Sequence, residues 1–149
     1  MNLSKNFTLS ELTRSDTAER LGIDNRPDQG EVENLRLLVQ NILQPVRDHF
    51  GPVRVNSGFR CKTLNQAIGS KDTSQHILGQ AADIECQGVS NYQLATWIQN
   101  NLEHDQVILE CYKPGEPDSG WVHVSYSQLH NRNKSLTYDG KTYQEGLLA

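Results

Sequence analysis

Cysteine is scarce in this chain of 149 residues: Cys61, Cys86 and Cys111 are widely spaced, odd in number, and form no Cys-x-x-Cys pair. That pattern argues against a disulfide framework and against a thiolate zinc site. Cys86 and Cys111 are instead expected as small residues on the buried side of strands. Runs of lysine and arginine are also missing. With 14 basic against 18 acidic residues the net charge is -4 and the isoelectric point is near 5.7. No basic footprint for nucleic acid or an anionic membrane surface is present. No apolar run approaches the roughly 20 residues that cross a bilayer. The start, Met1 to Asn6, lacks the apolar centre of a secretory signal, so synthesis and folding in the cytoplasm are expected. Internal repeats and low-complexity stretches are absent as well. The length suits one domain spanning residues 1–149 with a real hydrophobic core, expected as a monomer.

The helical signals come first in the chain. Thr8 followed by Glu11 reads as a capping box that opens a helix running to about Glu19, with Gly22 ending it. Leu35, Leu38, Val39, Ile42, Leu43 and Val46 recur at three and four, which predicts a helix from Gln29 to Phe50 whose apolar stripe is the main core face. Pro45 should bend that helix or mark its last turns. Shorter elements follow: a strand at Val53–Asn56, a helix at Cys61–Ile68, a polar loop at Gly69–Gly79, and a helix from Ser90 to Asn101 with Leu94, Trp97 and Ile98 inward. Asp139-Gly140, between Leu136-Thr137-Tyr138 and Lys141-Thr142-Tyr143, is a hairpin signal. Helices and strands interleave irregularly, so the class is α+β, with a small antiparallel sheet and helices packed on one side.

Three strands carry the chemistry. Alternation along Ala81–Cys86 places Ala82, Ile84 and Cys86 on a core face and Asp83 on the other. In Gln106–Cys111 it buries Val107, Leu109 and Cys111 and turns Ile108 and Glu110 away. In Trp121–Tyr126 it buries Val122 and Val124, while Trp121, His123 and Ser125 share the opposite face. His76 stands in the loop that leads to the first of these strands. Two imidazoles and a carboxylate delivered by ordered structure are what a catalytic zinc requires when its fourth position is left for water.

The pattern Ser74-x-His76-x-x-Gly79-x-Ala81-x-Asp83, preceded by Ser57-Gly58-Phe59-Arg60 and followed by Trp121-Val122-His123, resembles the zinc D-Ala-D-Ala carboxypeptidases. Relatives of that family include phage endolysins and the zinc fold of hedgehog signalling domains. The likeness runs from about Thr8 to Arg132 and is closest to the phage-encoded members, through Thr8-Leu9-Ser10-Glu11-Leu12 and Gln44-Pro45-Val46-Arg47. The resemblance implies the same fold, Zn2+ bound by His76, Asp83 and His123, and Arg60 lining the substrate site. It also implies hydrolysis of a peptide bond in bacterial peptidoglycan, either trimming a terminal D-alanine or cutting an L-alanyl bond, with stem peptides as partners. Several members carry a catalytic Glu or Asp three residues before the second histidine ligand. Here that position is Gly120.

The base must therefore come from elsewhere. Glu110, on a strand that otherwise reads as buried, is preferred, and Asp118 in the Tyr112–Gly120 loop stands second. Arg60 offers a planar fork suited to a carboxylate of the substrate. Ser74 and Trp121 are expected to contribute to substrate binding, although Ser74 and Asn65 could equally bond the loop backbone and Trp121 could simply pack. His49, His104 and His130 carry no such context. Two other readings stand beside the peptidase: an inactive zinc-containing module that binds cell wall or protein, and a structural phage or wall protein in which the metal only stabilises the fold.

Overall fold

A computed structural model describes residues Met1–Ala149. Its first third is helical. The Thr8–Glu11 capping box opens α1 (Leu9–Thr13), as expected. The segment does not continue as one helix, because Arg14 is extended and the Ser15 hydroxyl accepts from the Ala18 N–H to start α2 (Asp16–Leu21), which Gly22 closes. The long stripe forms α3 (Gln29–Leu38), a π-helical turn (Val39–Leu43) and α4 (Gln44–Phe50). Leu35, Leu38, Val39, Ile42, Leu43 and Val46 are all fully buried. The π-turn is how the chain accommodates Pro45. The Gln44 N–H reaches back five residues to the Val39 carbonyl, and the wider turn enters α4 without the clash a proline makes in a regular helix.

The sheet comprises β1 (Val53–Ser57), β2 (Ala81–Cys86), β3 (Gln106–Glu110), β4 (Trp121–Ser125), β5 (Lys134–Tyr138) and β6 (Tyr143–Glu145). Their spatial order is β1-β2-β4-β3-β5-β6. Every pairing is antiparallel except that of β3 with β5. The α+β class therefore holds, with one parallel pair added near the edge. Two shorter helices complete the chain, α5 (Lys62–Ala67) and α6 (Asn91–Asn101), the latter capped by Ser90. The face bearing Ala82, Ile84, Val107, Leu109, Val122 and Val124 packs on the helical stripe and on Leu94, Ala95 and Ile98 of α6. The opposite face carries Asp83, Glu110 and His123 together with Ile108 and Trp121, and no helix is long and apolar enough to cross a membrane.

Three further expectations differ from the structure. Cys111 is exposed, not buried, because β3 ends at Glu110 and Cys111 turns the chain with a left-handed φ of 49°. The hairpin pairs Tyr138 with Tyr143, so its connection is Asp139–Thr142 rather than the two residues Asp139-Gly140. There the Asp139 carboxylate accepts from the Lys141 and Thr142 N–H groups and holds the wider turn. The loop Gly69–Gly79 is not wholly irregular either, since Gln75–Leu78 forms a 3₁₀ turn.

Candidate metal centre and cleft

The polar face of the sheet is assembled by register. Asp83 of β2 lies directly opposite His123 of β4, and His123 directly opposite Ile108 of β3. On the other side of β2, a bulge between Val55 and Ser57 brings Ser57 opposite Asp83. The extra residue bends β1 and aims the following Gly58–Arg60 segment over the sheet. Gly58 passes so close to α1 that an added Cβ would sit 2.3 Å from the Leu12 carbonyl oxygen. Only glycine fits there, and its own carbonyl is thereby fixed above the sheet to receive the His76 ring.

His76 arrives on the 3₁₀ turn, whose first N–H groups are held by the Ser74 hydroxyl accepting from the His76 N–H at 3.2 Å. Its Nδ1 lies 2.6 Å from the Gly58 carbonyl oxygen. A carbonyl accepts only, so Nδ1 carries the proton in the neutral ring and Nε2 is left with its lone pair. That lone pair points at Asp83 Oδ1, 3.4 Å away. His123 Nδ1 lies 3.0 Å from the same oxygen, and the ligand atoms of His76, Asp83 and His123 all fall within 4.8 Å of one another. Two imidazoles and a carboxylate that converge acceptors on one point form a donor set suited to a small divalent cation. The residues present therefore fit zinc. The Gly58 carbonyl behind His76 is the kind of outer partner that fixes the orientation of a ligating ring.

Ionisation favours the same use. Burial opposes the charge on Asp83, but its close contacts with the His123 and His76 rings outweigh this and hold the carboxyl well below the usual carboxylate range. Burial pulls the His76 imidazole down despite the pull of Asp83 in the other direction, which favours the neutral form that binds metal.

Arg60 stands behind Asp83 with a partner at each of its three nitrogens. Nε donates to the Ser57 hydroxyl at 3.1 Å, Nη1 donates to Asn65 Oδ1 at 3.1 Å, and Nη2 lies 3.5 Å from Asp83 Oδ2. Asn65 is fully buried and is itself fixed by donating to the Lys71 carbonyl. Both Asn65 and Ser74 thus bond local structure, and Ser74 also lines the cleft beside the three converging residues.

That cleft has a volume of about 540 Å³, and its walls include Arg60, His76, Asp83, Glu110, Trp121 and His123. Glu110 pairs with Trp121 across β3–β4 and is a diagonal neighbour of His123 on the same face, a separation of roughly 7–8 Å in such pairs. Burial pushes the Glu110 carboxyl above its ordinary value, and Asp83 adds to this while His123 and Arg60 pull against it. Asp118 is elsewhere: it borders a separate depression with Glu85 and Asn91, and Asn91 Nδ2 donates to the Asp118 carbonyl. Ser125 shares the His123 side of β4 by alternation but is fully buried, its hydroxyl accepting from the Gln106 N–H. His49 stacks on Trp97 at 4.5 Å, and His104 is buried with Nδ1 against the Leu102 carbonyl. Neither reaches the cleft.

Gly120 has a structural cause. Its φ is +64°, and an added Cβ would lie 1.8 Å from the Glu110 carbonyl oxygen and 2.8 Å from that of Cys111. No side chain, acidic or otherwise, fits at this position. The carboxylate that faces the cleft here comes from the neighbouring strand, at Glu110.

Among the cleft residues that carry no site signal in the sequence are Lys71, Gln75, Arg132 and Tyr143. Asp105, buried below them, accepts from Arg132 Nε at 2.8 Å, Arg132 Nη2 at 2.9 Å and Gln75 Nε2 at 2.9 Å. No spacing in the chain signals this cluster, because it joins the 3₁₀ turn, the start of β3 and the β4–β5 connection only after the sheet has formed. For Tyr143 the hairpin signal was present, but not the parallel pairing of β5 with β3 that carries it to the cleft.

No curated protein matches the chain. The family model described as Peptidase M15, a family of zinc-dependent peptidases, matches residues 5–125, which include Arg60, His76, Asp83, Glu110 and His123. The match covers most of the chain and the whole converging set, and the protein belongs to the Peptidase M15 family.

Proposed function

We propose that this protein is a zinc metallopeptidase acting on the stem peptides of bacterial peptidoglycan, as a D-Ala-D-Ala carboxypeptidase or an L-alanyl endopeptidase, with residues 1–149 working as one peptidase domain. The observation that carries this reading is the convergence of His76 Nε2, Asp83 and His123 Nδ1 within 4.8 Å in a cleft that also presents the Glu110 carboxylate. His76, Asp83 and His123 hold the metal. When bound, zinc supplies Lewis acidity that polarises a scissile carbonyl and lowers the pKa of water.

Glu110 is the general base. It takes a proton from the attacking water and passes it to the leaving amine, so the carboxylate is regenerated at the end of the cycle. Its raised proton affinity suits both halves of that task, because a carboxyl at its ordinary value would release the proton too readily to the solvent. Arg60 keeps Asp83 aimed, and Trp121 forms a cleft wall against which a peptide packs. Phage origin and action on the wall after synthesis in the cytoplasm belong to the same reading.

Purified peptidoglycan incubated with the metal-loaded protein should release new amine groups. A chelator should stop the release and added zinc restore it. Mass spectrometry of the resulting muropeptides identifies the bond. A second reading is favoured by one observation, the glycine at position 120 in place of an acid: a zinc-containing module that binds wall peptide without cutting it. Binding to peptidoglycan with no new amine from any common wall type would select that module.

A further inference from the structure

A cleft that handles acidic peptides needs a cation free to meet them, and Arg60 is poorly placed for this. All three of its nitrogens face Ser57, Asn65 or Asp83, and its side chain is only 13% exposed. A substrate carboxylate at its Nη2 would compete with Asp83, which the converging histidines also engage. Arg60 is a strut.

Arg132 presents the opposite case. Its Nε and Nη2 donate to the two oxygens of Asp105, whose remaining partner is Gln75, while Nη1 has no partner. The guanidinium is 47% exposed and the carboxylate beneath it 5%, so an anion entering the cleft meets the cation and not its counter-ion. Pinned from behind and open in front, the fork is held in place before substrate arrives, which lowers the ordering cost of binding.

At the opposite end of β5, on the same cleft, stands an aromatic surface. Tyr143, on the edge strand β6, is 56% exposed, lines the same cleft and lies against Tyr138 with ring centroids 4.3 Å apart and planes 25° from parallel. The β3–β5 register explains its position, because one step beyond the Leu109–Thr137 pair places Tyr138 beside Glu110, and Tyr143 beside Tyr138. Arg132 and Tyr143 both fall after residue 125, where the family match ends.

We propose that this C-terminal segment is the specificity wall of the cleft: Arg132 Nη1 receives a free carboxylate of the peptide substrate, and Tyr143, at the other end of β5, supplies a flat surface on which a more distant part of the same peptide packs. The inference rests on the peptidase reading and names its substrate class, peptides that carry a free carboxylate away from the bond being cut. That carboxylate is either the C-terminal group or an acidic side chain.

The test uses one stem-type peptide in three forms: both carboxylates free, only the C-terminal one amidated, or only the side-chain one amidated. Binding is read by calorimetry and turnover by amine release, with metal-loaded protein. For the wild type, one amidation should weaken binding and raise KM about ten- to a hundredfold, the worth of a charge-assisted hydrogen bond, and the affected form identifies the carboxylate. Arg132→Gln should bind all three forms alike. Because that change strips Asp105 of its partner, the double variant Asp105→Asn/Arg132→Gln is measured beside it and should be equally indifferent. Tyr143→Leu should weaken all three forms by a similar factor and keep the preference. A wild type indifferent to amidation, or a preference that survives in both Arg132 variants, overturns the wall. Binding with the expected preference but no amine release supports the wall and overturns the peptidase reading; neither binding nor release overturns both.

Discussion

Two aspartate–arginine pairs flank one 3₁₀ turn, and adjacent residues of that turn reach one pair each. His76 Nε2 faces Asp83, which is paired with Arg60, whereas Gln75 Nε2 donates to Asp105, which is paired with Arg132. The pairs differ in grip. Asp105 takes a close two-pronged fork at 2.8 and 2.9 Å plus the Gln75 amide and the Arg132 N–H, so its oxygens are spoken for. Asp83 meets its guanidinium only at 3.5 Å and is otherwise shared between two imidazoles. A carboxylate fully satisfied by a bidentate fork is a structural brace, while one held loosely by a cation behind it and faced by two ring nitrogens retains lone pairs for a metal. The same two residue types thus serve two purposes, set by distance and by which partner is exposed.

The largest effect should come from removing the partner that distinguishes the Asp83 pair. His123→Ala deletes a ring nitrogen 3.0 Å from Asp83, and the variant is expected to lose its bound metal and all amine release. Elemental analysis of the purified variant measures this. Metal retained at the wild-type level would take His123 out of the ligand set.

A smaller loss is expected from Arg60→Lys. A lysine keeps the charge but cannot span Ser57, Asn65 and Asp83 at once. Metal affinity should fall by about ten- to a hundredfold, the usual cost of losing an outer partner of a ligand, as read by competition with a chromogenic chelator. Unchanged affinity would mean that the Asp83 pair needs no strut.

How much of this was legible beforehand divides along the same line. Alternation alone put Asp83, Glu110 and His123 on the polar side of their strands, and the helical stripe from Leu35 to Val46 was readable position by position, because both periods are local properties of the backbone. What alternation does not supply is the position of strand ends: it predicts Cys111 inside, but β3 ends one residue earlier, at Glu110, and Cys111 is exposed. The bulge before Ser57, the π-turn ahead of Pro45 and the demand for glycine at position 120 all answer to neighbours far along the chain. The Asp105–Arg132 pair belongs with them. Its partners lie 27 residues apart, and neither carries a local signal.

The smallest effect concerns that brace. The Arg132 guanidinium, helped by its N–H and by Gln75, lowers the Asp105 carboxyl to about 2 against its ordinary 3.8, with burial opposing. A carboxyl depressed on folding stabilises the protein above its unfolded pKa, and that stabilisation disappears as pH falls toward the folded value. Because Arg132 is half exposed, the contribution is on the order of 1–2 kcal/mol. Urea unfolding of wild type and Asp105→Asn should differ by that much more at about pH 5 than at about pH 2. A gap that stays constant over this window would mean that Asp105 is not held by its charge.

Catalysis by a carboxylate from β3, in a protein whose position 120 admits no side chain, is tested most directly by assaying Glu110→Gln and Asp118→Asn side by side, each with its metal content measured. The glutamine keeps size and hydrogen bonding but cannot take a proton. Glu110→Gln should bind metal like the wild type and lose roughly two to four orders of magnitude in rate, the worth of a positioned acid or base. Asp118→Asn, altered outside the cleft, should stay close to wild type. An inactive Asp118→Asn beside an active Glu110→Gln would contradict the account, because the base would then come from the loop and not from the strand.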